Sequence, residues 1–147
     1  MVADFHWKVR VYYEDTDAGG VVFYANYLKF FERARTEWLR ARAVGQHELT
    51  RQEGVLFVVK GTSVDYHAPA RLDDELKVTV VVERLGLTSV QFSQQAWRLE
   101  TTGETLLCSS RIKVGCIDGG SFRPCRIPDR VLEKIRTGAN LERGQKN

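Results

Sequence analysis

The sequence is poor in the residues that build metal sites and disulfide frameworks. It has only three histidines and three cysteines among 147 residues. The cysteines at positions 108, 116 and 125 are odd in number and lack the paired spacing of a zinc site or a redox motif. We therefore expect reduced thiols, no bound metal and no cofactor, with Cys108 and Cys116 acting as small buried hydrophobes.

Long apolar runs are also missing. No stretch approaches the roughly 20 apolar residues that cross a bilayer, and the first eight residues lack the apolar core of a secretory signal. The net charge is only +3, because residues 126 to 147 carry six basic and three acidic side chains and the remainder is balanced. These absences predict a cytoplasmic protein without stable membrane insertion and argue against nucleic-acid binding.

The composition that is present is that of an ordinary globular domain. Hydrophobic residues make up 43% and charged residues 28%, and a chain of this length can bury one core. No internal repeat or linker interrupts the chain before its end. We expect a single domain over residues 1–136 and a disordered tail over residues 137–147.

The N-terminal part alternates like a half-buried strand and then breaks. Residues 6 to 14 place Val9, Val11 and Tyr13 on one side, which predicts a strand with that side buried. The segment from Asp15 to Gly20 follows, and its two carboxylates and two glycines indicate an irregular loop.

A long helix is predicted after this loop. Asn26 is a plausible N-cap and Gly45 a plausible C-cap, which gives a rod of about 18 residues and roughly 27 Å. Apolar residues recur at helical spacing on one face: Tyr27, Phe31, Ala34, Trp38 and Ala41.

Four strands and a short helix complete the pattern. The strands are predicted at residues 55 to 68, 75 to 85, 88 to 101 and 104 to 118, joined as antiparallel hairpins, and the helix at residues 128 to 136. The order predicts an α+β fold in which an antiparallel sheet curls around one helix, although periodicity leaves other α+β arrangements open. Such a sheet has exposed edges, so we expect a homo-oligomer, either a dimer or a tetramer.

Two motifs carry a family resemblance. The segment YYEDTDAGGVVFYANY, residues 12 to 27, resembles the signature of the hydroxybenzoyl-CoA thioesterase family. The segment VDYHAPARLDD, residues 64 to 74, resembles the Tol-Pal-associated acyl-CoA thioesterase branch. The resemblance extends from residue 6 to about residue 128. It implies a hot-dog fold, in which a five-stranded antiparallel sheet wraps around one long central helix, and it implies acyl-CoA thioester hydrolysis.

The resemblance also implies the catalytic group. By composition alone, the acids Glu14, Asp15 and Asp17 are compatible with a turn, a solvated cluster or a divalent-metal site. Matching the family motif residue by residue places the catalytic carboxylate at Asp17, whereas we expect Asp15 to organise the loop. Asp17 acts either as a nucleophile or as a general base, and helix N-terminal amides would hold the oxyanion.

Three further residues are implied as substrate-binding: Tyr24 through its backbone amide, Asn26 at the start of the helix, and Thr88 in the loop that corresponds to the nucleotide-binding loop of the family. An acyl-CoA is the expected substrate, and acyl carrier protein is the alternative carrier. A hot-dog hydratase and a non-enzymatic acyl-thioester-binding module are the competing functions. Hydratase sites generally pair a histidine with an acid, and no histidine lies near Asp17 in the sequence.

Overall fold

The computed structural model describes residues 3–139. In this part of the chain, five strands form one antiparallel sheet in the order β1-β3-β4-β5-β2. The strands are β1 (Phe5–Arg10), β2 (Val55–Tyr66), β3 (Glu75–Leu85), β4 (Ser89–Glu100) and β5 (Gly103–Asp118). The helices are α1 (Tyr27–Ala41), α2 (Gln46–Glu53) and α3 (Asp129–Gly138).

The core lies between α1 and one face of the sheet. Strand β3 turns Leu76, Val78, Val80 and Val82 to this face at every second position, as a half-buried strand requires. Side chains of helix α1 pack against this face. The ring of Trp38 contacts Phe92 of β4 edge to face, with 6.0 Å between the ring centroids. Each large apolar side chain buried here contributes about 1.5–3 kcal/mol, so this layer holds the sheet around the helix.

The predicted α+β class, the five-stranded sheet and the long helix are confirmed. One expected hairpin is wrong: β2 pairs with β5 and not with β3, so β2 forms an edge of the sheet. The reason lies in the connection between β2 and β3. Its residues Ala70 and Arg71 bond to Val22 and Val21, which holds the connection across the end of the sheet.

The long helix ends earlier than predicted, and a second helix follows it. Helix α1 ends at Ala41, because Ala43 takes a positive φ of 62° and reverses the chain. Gly45 is therefore not the C-cap of α1; it precedes α2, which we did not predict. The buried face of α1 also differs from the predicted apolar stripe. Ala41 is exposed, while Phe30, Leu39 and the charged Arg35 are buried.

The chain ends differ from expectation by a few residues. Strand β1 stops at Arg10, and Tyr13, predicted on the buried side, is 80% exposed in a 3-10 turn. The strand cannot continue because Val11 bonds through its N–H and C=O to the 73–74 turn. Helix α3 extends to Gly138, so residues 137 and 138 are helical and not tail; residues 140–147 lie outside the described part.

Candidate active site

The acidic loop, residues 12 to 26, folds as a tight hairpin ahead of α1. Thr16 pairs with Val22 as an isolated antiparallel bridge, and the Asp17 N–H donates to the Val21 carbonyl at 2.9 Å. The Phe23 N–H donates to the Asp15 carbonyl at 2.9 Å, one step further from the turn. Asp17 therefore stands at the turn of a hairpin whose return arm leads directly into the helix.

Two glycines let the turn close on the Asp17 carboxylate. Gly20 has a φ of 79°, a left-handed conformation that a side chain disfavours, and its N–H donates to the Asp17 carbonyl at 3.0 Å. At Gly19, a Cβ would lie 3.2 Å from Asp17 Oδ1. Glycine at this position leaves room for the carboxylate beside the backbone.

Asp15 is the structural acid of the loop. It is only 5% exposed, and both carboxylate oxygens accept hydrogen bonds: Oδ2 from the Tyr12 N–H at 2.9 Å and Oδ1 from Asn26 Nδ2 at 2.8 Å. These bonds connect the start of the loop to the start of α1. They fit the expectation that Asp15 organises the loop. They also show that the Asn26 side chain serves this link and makes no side-chain cap bond to α1.

Asp17 differs from Asp15 in both exposure and hydrogen bonding. It is exposed, and Oδ1 accepts a 2.8 Å hydrogen bond from the Gly19 N–H. Its Oδ2 makes no hydrogen bond to any residue between 3 and 139. The loop thus presents one fixed carboxylate with one oxygen left open.

The last residues of this loop, at the entry to α1, have backbone N–H groups without an acceptor. Residues Tyr24–Asn26 form a 3-10 turn that continues into α1. Within the described chain, the N–H groups of Tyr24 and Ala25 donate to no acceptor, whereas the Asn26 N–H donates to the Phe23 carbonyl at 2.8 Å. Free N–H groups at the positive end of a helix are suited to hold an oxyanion.

Tyr66 was not among the predicted site residues. Its hydroxyl, at the end of β2, donates to the Tyr24 carbonyl at 2.9 Å, and the two rings meet edge to face at 6.2 Å. Burial, with smaller contributions from Cys108 and Tyr24, raises the pKa of Tyr66, so the hydroxyl stays a donor at neutral pH. Burial likewise raises the pKa of the neighbouring Tyr27 to about 12. The one feature of the sequence that could have identified Tyr66 is its position within the second family motif, residues 64 to 74.

Within one chain, Thr88 and Asp17 lie at opposite ends of the sheet. The Asp17 loop packs where β3 begins and β2 ends, through the bridge from Val21 to Arg71. Thr88 is exposed just before β4, at the opposite end of the sheet, and its carbonyl accepts from the Cys116 N–H at 2.9 Å. The length of β4, 12 residues at about 3.3 Å each, separates these two ends.

A mostly apolar cavity of about 110 Å³ lies between α1, the sheet and α3. Phe57, Phe92 and Ile135 line it, and the buried Arg35 lines its polar side. Arg35 donates to Gln94 Oε1 at 2.9 Å, and burial lowers its pKa to about 10, so it remains charged at neutral pH.

The fold and the site together define a class: a curled antiparallel sheet around one helix, with a carboxylate loop at the helix entry, is the hot-dog class of thioester hydrolases. The chain matches the thioesterase-like superfamily over residues 11–135. It is 43% identical over 132 residues to the acyl-CoA thioester hydrolase YbgC of Escherichia coli O6:H1, covering 90% of this chain and 96% of that protein. The chain therefore belongs to the thioesterase-like superfamily and is a thioester hydrolase.

Solved structures share the fold at low sequence identity. The 1,4-dihydroxy-2-naphthoyl-CoA thioesterase from Synechocystis superposes with a TM-score of 0.80 at 21% identity, covering 94% of this chain and 97% of that one. A 4-hydroxybenzoyl-CoA thioesterase complexed with 4-hydroxybenzoyl-CoA superposes with a TM-score of 0.81 at 16% identity, covering 88% and 96%. Over residues 3–139, this chain has no helix with the length and apolarity to cross a membrane.

Proposed function

We propose that the protein hydrolyses acyl-CoA thioesters and that Asp17 is the catalytic carboxylate. The observation that carries the proposal is the contrast inside the loop: Asp15 is buried with both oxygens engaged, while Asp17 is exposed with one oxygen open. The curated relative that is 43% identical is named an acyl-CoA thioester hydrolase, which supports the choice of substrate class.

A single placed carboxylate is sufficient for this reaction. A thioester is already activated, because its thiolate leaves easily at a thiol pKa of about 8.5. The open oxygen of Asp17 either attacks the carbonyl carbon and forms a mixed anhydride, or takes a proton from the attacking water. Both routes place negative charge on the carbonyl oxygen. The free N–H groups of Tyr24 and Ala25 are the donors that we assign to it.

The substrate-binding residues follow from this assignment. Tyr24 acts through its backbone N–H, and Asn26 acts indirectly, by holding Asp15 and the loop through its amide. Thr88 remains a candidate for contact with the nucleotide end of CoA. Because it lies at the far end of the sheet from Asp17, it can serve the same substrate only if a second chain supplies it.

We infer that the protein is a homodimer or a homotetramer. The edge strand β2 is exposed over most of its length, with Val59 52% and Tyr66 48% exposed, and an open edge favours pairing with another strand. Antiparallel pairing of two β2 strands around a twofold axis would place the Thr88 end of one sheet beside the Asp17 end of the other. Light scattering should then give at least twice the 16.8 kDa of the monomer. A monodisperse mass of 16.8 kDa at micromolar concentration would contradict the inference.

A thiol-release assay tests the proposed activity. The purified protein is given a panel of acyl-CoA thioesters and the same acyl groups on acyl carrier protein, with and without EDTA. We expect release of CoA thiol that is insensitive to EDTA and needs no added cofactor. If thiol is released only from the acyl-carrier-protein thioesters, the carrier of the substrate is acyl carrier protein and not CoA. Loss of activity on chelation, restored by a divalent ion, would indicate that the acidic loop is a metal site.

We assign the protein to the cytoplasm, where CoA thioesters are made and used.

A further inference from the structure

Cys116 and Cys125 form a close pair of thiols at the end of the sheet that also carries Thr88. Cys116 is fully buried near the end of β5, whereas Cys125 is half-buried on the connection to α3. Their Sγ atoms are 3.7 Å apart. A bonded pair needs about 2.05 Å, and the difference is within the reach of side-chain rotation.

The backbone already has the geometry of a bridged pair. Ile117 and Pro124 form an isolated antiparallel bridge, which places Cys116 directly opposite Cys125. The Cys125 N–H donates to the Cys116 carbonyl at 3.0 Å. Opposed residues in antiparallel pairs have Cα atoms about 4.5–5.5 Å apart, which falls inside the range of about 4.4–6.8 Å found in disulfides. The pairing of the two strands is therefore compatible with a disulfide at this position.

In the described part of the chain, no other thiol and no metal site competes for this pair, and the one further contact is a hydrogen bond from Cys116 Sγ to the Arg126 carbonyl at 3.8 Å. Between residues 3 and 139, no group of three or more histidine, cysteine or acidic side chains is placed to hold a metal ion. The third cysteine, Cys108, lies eight residues earlier on β5, about 26 Å along the strand. Among the described cysteines, Cys116 and Cys125 are therefore the only two placed to bond to each other.

We propose that Cys116 and Cys125 are a reversible dithiol–disulfide site that a peroxide oxidises. The sulfur of Cys125 attacks a peroxide oxygen, so that an S–O bond forms, the O–O bond breaks and one water leaves. The sulfur of Cys116 then attacks the Cys125 sulfur, so that the S–S bond forms, the S–O bond breaks and a second water leaves. Two electrons pass from the two thiols to the peroxide, and a dithiol reductant reverses the change.

The different exposure of the two thiols gives them different roles. Cys125 is half-buried and can meet an oxidant from solution, so it reacts first. Cys116 is fully buried, and burial, together with the hydrogen bond and charge of Cys125, raises its pKa to about 12, which disfavours reaction with oxidants from solution. When Cys116 attacks the oxidised Cys125, its proton passes to the leaving hydroxide and forms the second water. Cys116 is the resolving thiol, held in place until Cys125 is oxidised.

The bond would fasten the connection that leads to α3. It closes a short loop between residues 116 and 125, and it joins the end of β5 to the segment whose Ile127 N–H donates to the Leu87 carbonyl at 2.8 Å. Helix α3 follows and contributes Ile135 to the cavity. The oxidised protein should therefore unfold at a higher temperature than the reduced protein, by about 5 °C for a loop of this length.

The sequence offers a direct way to detect the bond. Trypsin cleaves after Lys113 and Arg126 but not at the Arg123–Pro124 bond, so one peptide, residues 114 to 126, contains both cysteines. The reduced full-length protein is treated with hydrogen peroxide, denatured, alkylated and digested. We expect this peptide to be unalkylated and lighter than the dithiol by two hydrogen atoms, and to become doubly alkylated after treatment with dithiothreitol.

Two variants make the test specific. Cys125→Ser should keep Cys116 alkylatable after peroxide and should lose the rise in Tm, while Cys108→Ala should form the bond as the natural sequence does. A peptide that carries added oxygen on Cys125 with Cys116 still alkylated would overturn the proposal. So would a disulfide that joins two chains, or bond formation that disappears in Cys108→Ala.

Discussion

The acidic loop and the polar cluster beneath α1 use polar side chains in opposite ways. In the polar cluster, Arg35 donates to Gln94 Oε1, and Gln94 Nε2 donates to the carbonyls of Phe31 at 3.0 Å and Thr79 at 3.2 Å. Both side chains are buried and joined to each other. In the acidic loop, Asp17 is exposed and keeps one oxygen without a partner in the described chain. Burial with full bonding stabilises a fold, whereas an open, positioned oxygen is available for chemistry.

Removing the open carboxylate should have the largest effect, and that effect should be on kcat and not on stability. We expect Asp17→Asn to lower kcat by about 10²- to 10⁴-fold, because the amide cannot act as a base or as a comparable nucleophile. The Tm should stay unchanged, since the amide oxygen can still accept from the Gly19 N–H. Steady-state thiol release and a thermal melt measure the two quantities. Activity within threefold of the natural sequence would remove Asp17 from the mechanism.

The polar cluster should show the reverse pattern. Gln94→Leu leaves the buried Arg35 without its acceptor and two buried carbonyls without their donor, so we expect a loss of about 3 kcal/mol in the free energy of unfolding. Urea denaturation measures the loss. Gln95→Leu is the matched control, because Gln95 is the next residue on β4 and successive side chains of a strand point to opposite faces of the sheet. Equal losses in both variants would show that the cluster contributes no special stability.

Asp15 tests whether the two acids of the loop are distinct. Asp15→Ala removes the bonds to the Tyr12 N–H and the Asn26 amide, and we expect about 2 kcal/mol of lost stability. The kcat should fall much less than in Asp17→Asn, because the carboxylate that we propose as the reacting group is still present. Urea denaturation and thiol release are measured on the same preparation. A larger loss of kcat in Asp15→Ala than in Asp17→Asn, with the protein folded, would reverse the assignment.

Tyr66→Phe gives the smallest expected effect. It deletes the hydroxyl that holds the Tyr24 carbonyl, and the loss of one such bond, about 0.5–1.5 kcal/mol, corresponds to roughly a 2- to 10-fold fall in kcat. Tyr24→Phe is the control: it keeps the backbone N–H that we assign to the oxyanion, so its activity should be unchanged. If Tyr24→Phe lost more activity than Tyr66→Phe, the Tyr24 ring or hydroxyl would be the functional group.

The local patterns of the sequence were accurate where one face of an element is buried against one partner. The bounds of β3 agree with its alternation, and the helix after Asn26 was found from its spacing. The errors occur where neighbours that are distant in sequence decide the outcome. The partner of β2 is β5, about 50 residues later, and Arg35 is buried because Gln94, on a different element, provides an acceptor. Local spacing carries no information about either contact.

The sequence by itself determined the class of the protein. It was enough to identify the carboxylate loop ahead of the helix, the α+β fold and the thioesterase resemblance, because these depend on short motifs and on hydrophobic periodicity. Only the tertiary structure showed how Asp15 and Asp17 differ in burial and hydrogen bonding, related Tyr66 to Tyr24 and brought Cys116 opposite Cys125. Each of these relations depends on which backbone and side-chain groups approach one another after the chain has folded, and hydrogen bonding and burial are properties of that approach.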